Sequence, residues 1–226
     1  MSLMQSHLLS NTQFAEMQIN AHILEQDERG VKVLLLANGR ILKIFRLRGF
    51  FTSSRIYSNA RSFCRNAERL KKLAIPTVSI IQLYHFETSS HTAVLYEPLA
   101  GETIRYLLNN GALTDDMCSK LGAFIARLHA LGIHFKSLHF GNIVMTPSGE
   151  LGLIDIADMR LFPWHLQLNT RLRGFKRIVR YREDIEKLGY NRWTLLLQAY
   201  IENAHLNFKI SNDKMYKSIH QLISKK

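Results

Sequence analysis

The chain is poor in cysteine, lacks any long apolar run, and has almost no acidic residues over two long stretches. Two cysteines in 226 residues, Cys64 and Cys118, cannot build a disulfide framework, so a reducing compartment is expected. Neither has a CxxC partner or a histidine at ligand spacing, which points to buried small residues rather than zinc ligands. No apolar run approaches the roughly 20 residues needed to span a bilayer. Residues 1–20 lack a basic start followed by an apolar core, so no signal peptide is expected and the sequence reads as cytoplasmic. There is no GxSxG, no P-loop, and no metal pattern among His85, His91, His134 and His139. Internal repeats and low-complexity linkers are also missing.

What is present is ordinary globular material, 46% hydrophobic and 21% charged, enough for one large domain or two small lobes. The formal charge of +12 is unevenly spread. Between Glu28 and Glu68 stand Arg29, Lys32, Arg40, Lys43, Arg46, Arg48, Arg55, Arg61 and Arg65, with no acid among them. From Met159 to Arg182 stand Arg160, Arg171, Arg173, Lys176, Arg177, Arg180 and Arg182, again with no acid. Such windows suit phosphate, nucleic acid or anionic lipid, and solvated basic faces without a ligand fit each window equally well.

Hydrophobic spacing predicts a strand over 21–26, then a hairpin in which Val31–Ala37 meets Arg40–Phe45 across Asn38-Gly39, a pair suited to φ > 0 at both central turn positions. Ile56, Ala60, Phe63, Ala67 and Leu70 form a helical stripe over 54–73, ended by Ala74-Ile-Pro76. Two further strands are expected over 77–86 and 92–99. After Gly101 the pattern becomes helical, with a short helix over 102–110 and a long one over 115–131, N-capped by Thr114. A small hairpin over 142–156 turns at Thr146–Glu150, and helices are expected near 165–181, 183–204 and 211–223. The expected division is an extension over 1–20, a β-rich lobe over 21–99 and a mainly helical lobe over 100–226.

Three groups of residues could carry chemistry. Lys43 lies on one strand face with Ile41 and Phe45, where a lone ammonium needs an anionic partner or access to water. Tyr96-Glu-Pro-Leu-Ala-Gly101 leaves a strand with a proline, which has no N–H to give. Ser137-Leu-His-Phe-Gly-Asn142 followed by Leu151-Gly-Leu-Ile-Asp155 puts a carboxamide and a carboxylate at one end of a hairpin, an oxygen pair suited to Mg²⁺.

Read together, these residues and the element order resemble the protein-kinase-like fold, an α+β bilobal architecture. The resemblance implies that Lys43 holds the nucleotide phosphates, with Glu68 as its helix partner. It implies that Ile41 and the hinge residues Glu97, by its carbonyl, and Leu99, by its N–H, bind adenine. It implies that Asn142 and Asp155 hold the metal, so that ATP and Mg²⁺ are the cofactors. The segment from Gly132 to Arg182 is most similar to bacterial lipopolysaccharide core kinases and their toluene-tolerance relatives, in which an Arg-rich helix follows the metal site. By that resemblance Arg173, Lys176, Arg177 and Arg180, spaced as one helical row, would bind an anionic acceptor.

Two departures from the family pattern matter. Ser137 stands where the family has its catalytic-loop aspartate, leaving His139 and Asp158 as the nearest substitutes, with His139 more in keeping with a structural role. The strands before Lys43 are joined only by Asp27-Glu-Arg-Gly30 in place of a Gly-rich phosphate loop. Only 71 residues follow Asp155, which favours a small-molecule or glycolipid acceptor over a protein. The leading expectation is an ATP-dependent phosphotransferase acting on a sugar hydroxyl of an anionic glycolipid core, cytoplasmic with peripheral contact at the inner membrane. A pseudokinase scaffold is the first alternative. An RNA-associated kinase-like protein is the second, with nucleic acid ranked below the glycolipid. Oligomeric state is left open by the sequence.

Overall fold

A computed structural model of the chain describes residues 5–46, 53–204 and 212–224. Arg48 lies outside them, as do the side chains of Arg55 and Ile56. The fold is mixed α+β, dominated by strands up to Glu97 and by helices from Ile104 onward. It divides into two compact units, residues 1–100 with 154–158, and residues 101–153 with 159–226.

The first unit is built on a six-stranded sheet. Its strands are β1 (Ser6–Leu9), β2 (His22–Asp27), β3 (Gly30–Leu35), β4 (Ile41–Phe45), β5 (Ser79–Phe86) and β6 (Thr92–Glu97). Their order across the sheet is β1-β5-β6-β4-β3-β2. All neighbours are antiparallel except β1, which runs parallel to β5. The strand β1 and the helix α1 (Asn11–Gln18) occupy a stretch to which the sequence pattern gave no element. β1 buries only Leu9, so no alternation marks it. The capping box that opens α1 joins Ser10 and Gln13, each side chain bonding the other's backbone.

Strand alternation gives the sheet two covered faces. Leu42 and Ile44 of β4 pack with Leu34, Leu36, Ala93 and Leu95, covered by Phe14 and Met17 of α1. Lys43 and Phe45 point to the other face, toward helix α2 (Ser53–Lys72). There Phe63 meets the rings of Phe45 at 5.9 Å and Tyr96 at 5.3 Å. The apolar stripe Ala60, Phe63, Ala67 and Leu70 is buried. The helix stops where Ala74 takes a left-handed backbone (φ +51) and the Ile75 N–H donates back to the Leu70 carbonyl.

The β3–β4 connection differs from the expected two-residue turn. Only Gly39 has φ > 0, at +78. The Gly39 N–H donates to the Leu36 carbonyl and the Leu36 N–H to the Arg40 carbonyl. This is a three-residue connection closed by a left-handed glycine. Asn38 keeps ordinary backbone angles and uses its Oδ1 to accept from the Arg40 N–H at 3.1 Å.

The second unit holds α3 (Ile104–Asn109), α4 (Asp115–Ala130), α5 (Leu168–Ile178), α6 (Arg182–Asn203) and α7 (Asn212–Ser224). The small sheets β7 (Glu102–Thr103)–β9 (Ile143–Met145)–β10 (Leu151–Leu153) and β8 (Ile133–His134)–β11 (Arg160–Leu161) complete it. Thr114 caps α4, accepting from the Met117 N–H. α4 and α6 cross in close contact at Gly122, where an added Cβ would lie 2.1 Å from the Leu196 carbonyl oxygen. Arg171 of α5 is buried and bonds three neutral acceptors, the carbonyls of Leu166 and Ala204 and the Tyr200 hydroxyl. Among the described residues no helix is long and apolar enough to cross a membrane.

Candidate functional site

The carboxylate of Asp155 reaches the first unit because residues 154–158 pack with it rather than with the hairpin they follow. A short 3₁₀ turn, Ile156–Asp158, lies against α2, held by the Asn66 amide, which donates to the Ile156 carbonyl at 2.7 Å. Asn66 is buried on the inner side of α2, and a polar residue beside Phe63 and Ala67 was the signal that could have singled it out. The result is an ion pair between Lys43 Nζ and Asp155 Oδ1, joining groups 112 residues apart in sequence. The ammonium also sits 5.8 and 5.9 Å from the ring centroids of Phe63 and Phe45.

Two features set this pair apart from a packed core ion pair. The Asp155 side chain is 47% exposed, and an ion pair so open to water contributes only about 0–1 kcal/mol to stability. Asp155 also holds a left-handed backbone (φ +52), a conformation that costs a non-glycine residue energy. Asp155 is thus an exposed carboxylate on a strained backbone whose ion pair adds little to stability. Nearby, burial first and then the Asp155 charge raise the pKa of the Tyr96 phenol, keeping it neutral.

Glu68 was expected as the partner of Lys43, but the ion pair forms with Asp155 instead. Glu68 is one turn beyond Cys64 on α2 and contributes, after burial, to pushing that thiol's pKa up to about 12. Cys118 is likewise raised to about 11 by burial, so both free thiols are inert core residues. Ile41 shares the Lys43 face of β4 and is partly exposed opposite Tyr96. Glu97 ends β6, exposed, with Arg40 3.9 Å away. Leu99 follows in the irregular segment before Gly101. The turn between β2 and β3 is filled by its own side chains. Asp27 accepts from the Arg29 N–H, which lowers its pKa, and Lys32 and Arg46 face it. Arg46 also donates to the carbonyls of Arg29 and Val31.

In the second unit the segment 137–142 folds into a compact loop. His139 caps the 3₁₀ turn Phe140–Asn142, its Nδ1 accepting from the Gly141 N–H at 3.1 Å. Its ring packs against Tyr181 at 4.6 Å. The buried Asn142 donates through Nδ2 to the Ser137 carbonyl at 3.0 Å, which leaves its Oδ1 to accept. β9 begins at the next residue, paired with β10 in the register Ile143↔Leu153. Ser137 therefore helps to orient Asn142 through its backbone. Asp158 lies in the 3₁₀ turn of the first unit.

The expected row of four basic residues is broken. α5 ends at Ile178, and residues 179–181 turn into α6, so Arg180 is off the helix. Arg173 bonds Thr170, and Lys176 is exposed. Arg177 lies 3.1 Å from His134 Nε2. Burial, and then the charge of Arg177, lower the pKa of His134, so its neutral ring accepts from the guanidinium.

No protein-family model matches the chain, and no curated protein matches it either. Among solved structures it is similar to the bifunctional kinase-methyltransferase WbdD, at 13% identity and a TM-score of 0.46, over 86% of this chain and 46% of that one. The chain thus spans less than half the length of that protein.

Proposed function

We propose that the chain is a kinase-like phosphotransferase that moves the γ-phosphate of ATP to a hydroxyl of a small or glycolipid acceptor, the anionic lipopolysaccharide core being the leading candidate. The observation that carries this reading is the exposed, strained Asp155 held at Lys43. Lys43 would bind the α- and β-phosphates, leaving Asp155 when they arrive. Adenine would lie between Ile41 and the backbone of Glu97–Leu99. Mg²⁺ would be held by oxygens of Asp155 and Asn142, a sparse set that phosphate oxygens and water complete, and would neutralise charge on the transferred group. The acceptor oxygen bonds the γ-phosphorus as the bond to ADP breaks, and the hydroxyl proton leaves to solvent. With Ser137 in place of a carboxylate, the roughly 10²–10⁴-fold contribution of a general base is missing, so turnover is expected to be slow.

Asp155→Ala should abolish ATP hydrolysis and acceptor phosphorylation in purified protein, and unchanged turnover would refute the assignment. A pseudokinase is the second reading, favoured by Ser137, which stands where the resembled family has its catalytic-loop aspartate. A thermal-shift titration separates the two readings. A ligand at about 100 times its Kd stabilises by about 2.7 kcal/mol, so an ATP·Mg²⁺ shift without turnover supports the second reading. No shift at all removes nucleotide binding from both.

A further inference from the structure

In the second unit, cations from three segments gather around one histidine. The β8–β11 ladder pairs His134 with Arg160, and directly paired residues project to the same face of a ladder. Helix α5 packs on β8 and brings Arg177 to the imidazole, its Nη1 donating to His134 Nε2 at 3.1 Å. Arg173 lies four residues earlier on α5 and so beside Arg177, and Lys136 leaves β8 two residues after His134. Burial, and then the charges of Arg177, Arg173, Lys136 and Arg160, hold the pKa of His134 down. Among the described residues none of these four cations forms an ion pair. The side-chain bonds of Arg177 and Arg173 go to neutral acceptors, the His134 ring and the Thr170 hydroxyl, the latter at 2.9 Å. Those bonds position the guanidinium groups without offsetting their charge. Lys136, Arg160 and Arg173 are exposed.

We propose that Lys136, Arg160 and Arg173 bind the phosphoryl group of a phosphomonoester, while Arg177 keeps its bond to His134 and adds its charge. Convergent cations without matching carboxylates repel one another, and a compact dianion relieves that repulsion while accepting charge-assisted hydrogen bonds. A guanidinium carries five N–H donors, so Arg173 can hold Thr170 and still reach an anion. The three terminal oxygens of a phosphomonoester match cations arriving from the exit of β8, from β11 and from α5. A carboxylate offers two oxygens and a single charge, and fits this arrangement less well. Lys136 immediately precedes the 137–142 loop that carries Asn142, so a phosphorylated molecule anchored here is held at the start of that loop. Its use as an anchor for the acceptor rests on the phosphotransfer reading; binding itself does not.

The phosphoryl group can come from a soluble sugar phosphate or from a lipid headgroup, and two arms of one experiment separate these sources. In the first, full-length protein is titrated with glucose 6-phosphate by calorimetry, at ionic strength held constant with chloride. In the second, it is sedimented with phosphatidylcholine vesicles containing either phosphatidic acid, a phosphomonoester, or phosphatidylglycerol, a phosphodiester, at equal vesicle charge. Saturable binding of the sugar phosphate, or preference for phosphatidic acid over phosphatidylglycerol, is expected, and the arm that responds names the source. Binding should weaken about tenfold or more in Arg160→Gln/Arg173→Gln. Lys136→Gln should weaken it as well, and serves alone if the double variant loses its native circular dichroism. Binding should persist in Asp155→Ala, which separates failure of the nucleotide reading from failure of this one. The site is overturned by absence of a response in both arms, equal affinity for the two vesicle types without sugar phosphate binding included. Undiminished affinity in the folded variants, or loss of binding in Asp155→Ala, overturns it equally.

Discussion

At position 155 an aspartate adopts a backbone that glycine would take without cost (φ +52). Its replacement therefore separates stability from function. In Asp155→Gly, relief of backbone strain, on the order of 1 kcal/mol, offsets loss of an exposed ion pair worth about 0–1 kcal/mol and the added entropy of the unfolded chain. We expect the melting temperature to stay close to that of the parent while ATP turnover disappears; a steep loss of stability would instead make Asp155 a structural residue. His129 shows the opposite case. It is buried, bonded to the Tyr200 hydroxyl at 2.9 Å, and its pKa is pushed down to about 3 by burial and then by Arg171. The unfolded chain binds a proton there near the ordinary value of 6.5 while the folded chain does not. Its contribution is thus intact above pH 6.5 and is lost as pH falls toward 3, by up to about 1.4 kcal/mol per pH unit. Denaturant titrations of parent and His129→Gln at several pH values should show a shallower acid slope in the variant, and equal slopes would refute the assignment. Lys43, Asn142 and Asp155 were each legible as residues of interest in the sequence. Which carboxylate Lys43 meets was not, because Glu68 is near in sequence whereas Asp155 arrives through the packing of residues 154–158 on α2.

Among the elements, helices α2 and α4 were legible because their apolar residues repeat at the period of the structure they form. Ala60, Phe63, Ala67 and Leu70 show this for α2, and Leu121, Phe124, Ile125 and Leu128 for α4. Elements held by long-range pairing were not. β1 buries a single residue, and β8 and β11 are two residues each, too short to show any period. The basic row on α5 misled for a related reason: helical spacing continues across residues 179–181, but the backbone does not. Gly122 carries the clearest expectation at this scale. The atom that a Cβ would strike is backbone, the Leu196 carbonyl oxygen, and cannot rotate away. Gly122→Ala should therefore destabilise by about 1–3 kcal/mol through forced separation of α4 and α6, although alanine is the better helix former by about 1 kcal/mol. A denaturation midpoint equal to or above that of the parent would show that the helices can part without cost.

For the whole molecule, the +12 charge first admitted nucleic acid as a partner, and the structure breaks up the two basic windows that suggested it. Lys43 is paired with Asp155, and Arg46 clamps the β2–β3 turn through backbone carbonyls. Arg171 is buried, and Arg177 is bonded to His134. These four cannot join a stripe along a phosphate backbone without giving up internal bonds. Generic duplex RNA should accordingly bind only weakly, with log K falling against log salt at a slope of about 0.9 per phosphate contacted and about three contacts or fewer. Fluorescence anisotropy with a labelled duplex at several salt concentrations measures that slope directly. Tight binding that survives physiological salt, or a slope requiring many contacts, would mean that the cations cooperate over an extended surface, and the reading of these four as internally engaged would fall with it.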